Sequence, residues 1–203
     1  MEKNKQYPWK GCGTDKEITG CRFSLSVMDD NFAKKILSGI SKVDASNVWS
    51  YTDALSTIYR GKRTDVVSAV KDCFVHVYDD KTHMTMEATF SKGCPGDVDE
   101  DSHLSENEVA LNVTKQFPVL SKISFYPLGI SDYMEHIAYV VNLAMEKGLY
   151  NSSSHYATEL EGDVNELFTY FEELMAYAEQ HIDHYVFQVT LSVNSPSMKK
   201  ENA

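Results

Sequence analysis

TIYRGKRTDVVSAVKDCFVHVYDDKTHMTMEATFSKGCP, residues 57–95, and TELEGDVNELFTYFEELMAYAEQHIDHYVFQVTLSVNSP, residues 158–196, decide the fold, because the second reads as a copy of the first. Set 101 positions apart, they align without a gap and share six identities: Thr57/Thr158, Gly61/Gly162, His83/His184, Thr89/Thr190, Ser91/Ser192 and Pro95/Pro196. The apolar pattern supports the match better than the identities do. Val66, Val67, Val70 and Phe74 fall on Leu167, Phe168, Phe171 and Met175, and Met84, Met86, Ala88 and Phe90 fall on Tyr185, Phe187, Val189 and Leu191. A repeat of this length is one supersecondary unit used twice.

Working outward, each copy reads as strand, helix, two strands, helix, strand. Cys21, Phe23, Leu25 and Val27 alternate with Arg22, Ser24, Ser26 and Met28, the period of a half-buried strand. Asp29 or Asp30 is placed to cap a helix with Phe32, Ile36, Leu37 and Ile40 at helical spacing. Strands over 47–54 and 56–62, a helix starting at Thr64 or Asp65, and a strand over 83–91 complete the first copy. In the second, Ile123, Phe125 and Pro127 open the unit, the proline marking an edge or a bulge. Ser131 or Asp132 caps a helix with Ile137, Val140, Val141 and Ala144, which Gly148 ends. Strands over 149–156 and 157–162, a helix from the Asp163 cap to His181 and a strand over 185–193 follow. This order predicts an α+β fold: two ferredoxin-like βαββαβ units in tandem, each an antiparallel four-stranded sheet with both helices on one face. The units are placed at 19–96 and 119–197, joined by an acidic linker over 97–118 that includes DVDEDSHLSENE.

The 203 residues carry a formal charge of −11, which repels phosphate backbones and anionic membranes and favours a neutral or cationic small ligand. The chain has no run of 18 apolar residues, and MEKNKQYPWKGCGT has no signal-peptide core, so the expectation is a cytoplasmic protein without membrane insertion. Its four cysteines form no CxxC pair and read as thiols.

The sheet face away from the helices takes the alternate residues. In the first copy these are Arg22, Ser24, Ser26, Thr85, Glu87, Thr89 and Ser91; in the second, Ser124, Tyr126, Val186, Gln188, Thr190 and Ser192. This face is either plain solvated sheet or a shallow polar pocket for a flat ring. NVWSYTDALST sets Trp49, Tyr51 and Asp53 on one side of the chain, where two aromatics could stack on a ring and a carboxylate pair with its amine; equally, the two rings could fill the core or a dimer contact. Gly61 and Gly162 read as turn residues, since no phosphate-binding loop surrounds them. His181 and His184 lack an evident third ligand, and no nucleophile motif occurs, so no metal, cofactor or catalytic residue is assigned.

The segments GCRFSLSVMDDNF (20–32), SNVWSYTDALSTIYRGKRTDVVSAVKDCF (46–74), HMTMEATFSKGCPGD (83–97), ISFYPLGISDYMEHI (123–137) and YATELEGDVNELF (156–168) resemble the YkoF family of thiamin/hydroxymethylpyrimidine-binding proteins over nearly the whole chain. The Thr-x-x-x-Gly pattern is also similar to a related single-repeat thiamin-binding family, in which a Glu precedes the glycine. This chain has Glu161 there in the second copy and Arg60 in the first. The resemblance implies non-enzymatic binding of thiamin or hydroxymethylpyrimidine, one site per repeat, a homodimer, and a role in vitamin or precursor uptake and salvage beside a membrane transporter. Physical argument selects Arg22, Ser24, Trp49, Tyr51, Asp53, Thr57, Glu87, Tyr126, Ser154, Thr158 and Gln188 as candidate contacts. At the 101 offset Asp53 meets Ser154 and Glu87 meets Gln188, so the first site is expected to hold the free base more tightly. Two other functions fit the residues: an enzyme on a thiamin precursor using Glu87 or Asp53 as base, and a regulatory dimer similar to amino-acid-sensing domains.

Overall fold

The computed structural model describes residues 18–93 and 115–197, with Ser154 described by its backbone alone. Most of the expected acidic linker lies outside the described residues. The first unit runs β1 (Thr19–Val27), α1 (Phe32–Ile40), β2 (Trp49–Thr52), β3 (Thr57–Gly61), α2 (Arg63–Val77) and β4 (Met84–Lys92). The second runs β5 (Pro118–Leu128), α3 (Tyr133–Glu146), β6 (Tyr150–Ser154), β7 (Ala157–Asp163), α4 (Val164–His181) and β8 (His184–Val193). This is the α+β tandem ferredoxin-like fold expected from the repeat.

The two four-stranded sheets are continuous. Strand order is β2-β3-β1-β4-β8-β5-β7-β6, all neighbours antiparallel. A lone unit would leave its last strand as an unpaired edge; pairing β4 with β8 removes both edges. In that seam Ala88 faces Val189. These are equivalent repeat positions, so a pseudo-twofold axis passes between them. The repeat offset is 100 residues in the first strands, since Phe23 faces Ala88 and Ile123 faces Val189. It is 101 at the helix N-caps Asn31 and Asp132. The second copy therefore holds one extra residue before α3, in the turn where Gly129 takes a φ of 76°.

The core lies between sheet and helices. Val66, Val67, Val70 and Phe74 of α2 are fully buried, as are Phe171, Leu174 and Met175 of α4. Phe187 on β8 packs against Phe90 across the seam and edge-on against Phe171, with ring centroids 6.0 and 5.5 Å away. Arg63 at the start of α2 reaches the other unit, pairing with Glu172 at 2.8 Å and with Glu179. Burial raises the Glu179 carboxyl against the pull of Arg63 and Lys92.

Several local expectations are corrected. Asn31, not Asp29 or Asp30, is the N-cap of α1, and the Asp29 carboxylate accepts the Asn31 N–H at 2.7 Å. Phe32 and Leu37 are exposed, leaving Ile36 and Ile40 to face the sheet. The α2 helix starts at Arg63, ahead of the expected Thr64 or Asp65. Gly61 and Gly162 are not turn residues: they lie in β3 and β7, where a Cβ would come within 3.2 Å of Asn47 O and 2.4 Å of Leu149 Cδ2. The shared glycine answers to close packing. Pro127 lies in β5 past the last β7 pair, Ile123 with Thr158, so that side of the strand is an edge there. The α4 helix carries the expected Asp163 cap, completed by Glu166 into a capping box.

Candidate functional site

The β2–β3 hairpin and α1 build a cavity of about 210 Å³ at one corner of the first unit. Its walls are Phe23, Leu25, Ile36 and Ile40, and its polar lining comes from Ser24, Thr57 and the turn 52–56. Periodicity explains this lining. The α1 stripe turns Ile36 and Ile40 inward, and the β1 alternation brings Phe23 and Leu25 to meet them.

Asp53 occupies the turn. Its Oδ1 accepts N–H bonds from Leu55 at 2.8 Å and Ser56 at 2.9 Å, an Asx-type closure of the hairpin. Those N–H groups, Leu55 first and then Ser56, with the Arg22 charge adding to them, hold the Asp53 carboxyl below its ordinary range. It is therefore an ionised acceptor at neutral pH. Thr57 opens β3 opposite Phe23, and its hydroxyl meets that of Thr52 at 3.0 Å.

The sheet face away from the helices collects most of the other candidates. Arg22 stands between Ile58 and Thr89, Glu87 between Ser24 and Thr190, and Gln188 between Thr89 and Ser124. Trp49 and Tyr51 project from the edge strand β2, 40% and 52% exposed, with rings stacked at 6.2 Å and 15°. They are not core residues of this chain. The alternation that would put Asp53 beside them stops at Thr52, where the chain enters the turn. Ser24 links the two regions, since it lines the cavity and faces Glu87 across the strands.

In the second unit Tyr126 faces Val186 and is exposed, Ser154 ends β6 opposite Ala157, and Thr158 sits opposite Ile123 as Thr57 does opposite Phe23. Here the Ser124 hydroxyl donates to the Tyr156 carbonyl at 3.1 Å, tying the hairpin tip to the sheet. Tyr156 holds a φ of 63° and is almost fully exposed; its repeat equivalent, Leu55, is also at a hairpin tip and 86% exposed. His83 bonds Ser192 at 3.3 Å, a structural role. Sequence reasoning missed the cavity walls: Ile36 and Ile40 were legible as a helical stripe but not as half of a pocket.

The fold and the cavity together define a two-unit ferredoxin-like protein with room for a ligand smaller than the drug-sized molecules that fill pockets of about 300–1,000 Å³. A family model described as the YKOF-related family matches residues 18–97 and again 119–198, and the chain belongs to that family. It is 38% identical over 194 residues to a protein of Bacillus subtilis (strain 168) named "Putative HMP/thiamine-binding protein YkoF", covering 93% of this chain and 96% of that one. Among the described residues, no helix is long and apolar enough to cross a membrane.

Proposed function

We propose that the chain binds thiamin and its hydroxymethylpyrimidine moiety without transforming them, with the pyrimidine seated between α1 and the β2–β3 hairpin. One observation carries this reading: an ionised carboxylate, Asp53, lines a small cavity with apolar walls. An aminopyrimidine edge sets a ring nitrogen beside an exocyclic amine, and a carboxylate meets that amine with a charge-assisted hydrogen bond. Phe23, Leu25, Ile36 and Ile40 cover the ring faces, while Thr57 offers its hydroxyl to the hydroxymethyl group. The relative's name points to the same ligands.

In thiamin the thiazolium cation extends past Ser24 onto the open face, toward Glu87 and the Trp49–Tyr51 pair, which suit a positive ring. The second unit supplies a weaker site around Thr158 and Ser154, with Tyr126 and Gln188 on the adjoining face. The chain serves vitamin or precursor uptake and salvage as a cytoplasmic homodimer working beside a membrane transporter. Calorimetric titration with thiamin and with hydroxymethylpyrimidine, followed by chromatography of the recovered ligand, tests the core of the proposal. Binding with unchanged ligand supports it; no heat, or a chemically altered product, rejects it.

A further inference from the structure

Helices α2 and α4 lie side by side across the seam, and the charges where they meet are sorted by unit. Arg63 of α2 pairs with Glu172 at 2.8 Å and with Glu179, both on α4, and all three side chains are part-buried. On the far side of the pseudo-twofold axis the signs keep the same order. Lys71 of α2 is 2% exposed; burial pushes its ammonium below its ordinary value, and the charges of Asp72 and Asp163 pull it back up. Asp72 belongs to the other flank of α2, beside His76 and Asp44. Asp163 is the N-cap of α4 and stands across the seam; its twin in the first unit, the N-cap of α2, is Lys62.

Every one of these charges has a different twin. At the 101 offset Arg63 falls on Val164, Lys71 on Glu172 and Tyr78 on Glu179. The first unit therefore offers cations at 62, 63 and 71, and the second offers carboxylates at 163, 172 and 179. Two first halves, taken from two chains, would set Lys62 and Arg63 against a buried Lys71 at both crossings. Two second halves would set Asp163 against Glu172 at both, with Val164 supplying no cation. The strands do not choose between these pairings, because Ala88 and Val189 face one another from equivalent positions. The helices do choose: like charges brought together in a part-buried crossing are poorly screened by water and cost far more than exposed ones.

We propose that this crossing is a partner-selecting surface: a basic α2 accepts an acidic α4, so the first half of a chain takes its own second half and turns away like halves of other chains. Selection of this kind works through the repulsion built into the wrong pair as much as through attraction in the right one. It is independent of any ligand.

Glu172→Lys in the full chain, refolded from urea at high protein concentration, is the test. The change sets a cation against Arg63 in the native pair and against Asp163 in a pair of second halves, so it favours the like pairing. Val189→Cys is the reporter: position 189 faces Ala88 in the native seam but would face its own copy between two second halves, where mild oxidation links the chains. Wild type run alongside shows what the native cysteines contribute. With Glu172→Lys the linked dimer is expected to be about tenfold more abundant than with Val189→Cys alone, a modest effect for a part-buried ion pair. Adding Asp163→Asn, which can still cap α4, removes the anion that the like pair needs and repairs nothing in the native seam. It should return the dimer to near the Val189→Cys level, whereas simple weakening of the seam would leave the dimer as high or higher. Should Glu172→Lys fail to fold, Glu172→Gln replaces it, with an intermediate rise in dimer expected. No rise in dimer with the folded position-172 variant, or a rise that Asp163→Asn leaves in place, would overturn the proposal.

Discussion

Replacing Asp53 with Asn isolates the one charge on which the ligand reading rests. The Asp53 Oδ1 already accepts the N–H groups of Leu55 and Ser56, and an asparagine oxygen can keep both bonds. The hairpin therefore stays closed, and the change falls on the second oxygen, which becomes an NH₂ donor. That donor would face the ligand's own amine, so one charge-assisted bond is lost and two donors are set against each other. A loss of that kind corresponds to roughly ten- to a hundredfold in Kd. Calorimetry with hydroxymethylpyrimidine reads the affinity, and a thermal melt without ligand confirms the fold. A Kd within threefold of the wild type, with an unchanged melt, would refute the contact. The pH dependence gives a second check. Because the Asp53 carboxyl sits below its ordinary value of 3.8, it stays charged throughout mildly acidic conditions. Any fall in affinity between neutrality and that value belongs to a different group.

Glu87→Gln should weaken thiamin about two- to fivefold while sparing hydroxymethylpyrimidine, which lacks the cation; parallel titrations of the two ligands decide it. Phe187→Ala should cost about 3–5 kcal/mol in chemical denaturation, because its ring fills the seam against Phe90 and Phe171. Both units should still unfold in a single transition. Lys35 holds the carboxyls of Asp29 and Asp79 below their ordinary values through hydrogen bonds. Groups lowered in this way stabilise the fold above the unfolded carboxylate value of 3.8, and that contribution disappears as pH falls through the lowered folded values. The melting temperature of Lys35→Met should accordingly fall less than that of the wild type on acidification below 3.8.

Much of the architecture is legible in the chain because local periodicity and repetition both encode it. Cys21 to Val27 alternates so strictly that β1 and its buried face follow at once, and the Val66–Phe74 stripe fixes the inner side of α2. The β4–β8 seam is not legible. Alternation shows which face of a strand is buried, not which strand lies beside it, and β4 would read the same at an open edge. The candidate cavity was half legible. Asp53 stands out as a carboxylate after two aromatics, but whether it continues the strand or closes a turn depends on hydrogen bonds to Leu55 and Ser56 that no spacing rule displays. The bulge in β6 was hidden for a related reason: one extra residue, Asn151, shifts the β6–β7 register between Tyr150 and Ser152 while leaving the apolar pattern of both strands intact.

Since Ala88 lies opposite Val189, its own counterpart, the seam would stay in register if both strands were β4. By register alone, two copies of the first half, released from one another, could meet with Ala88 against Ala88 and rebuild the same eight strands. The chain thus has the form of two like subunits joined end to end, so a substitution in one half need not be matched in the other.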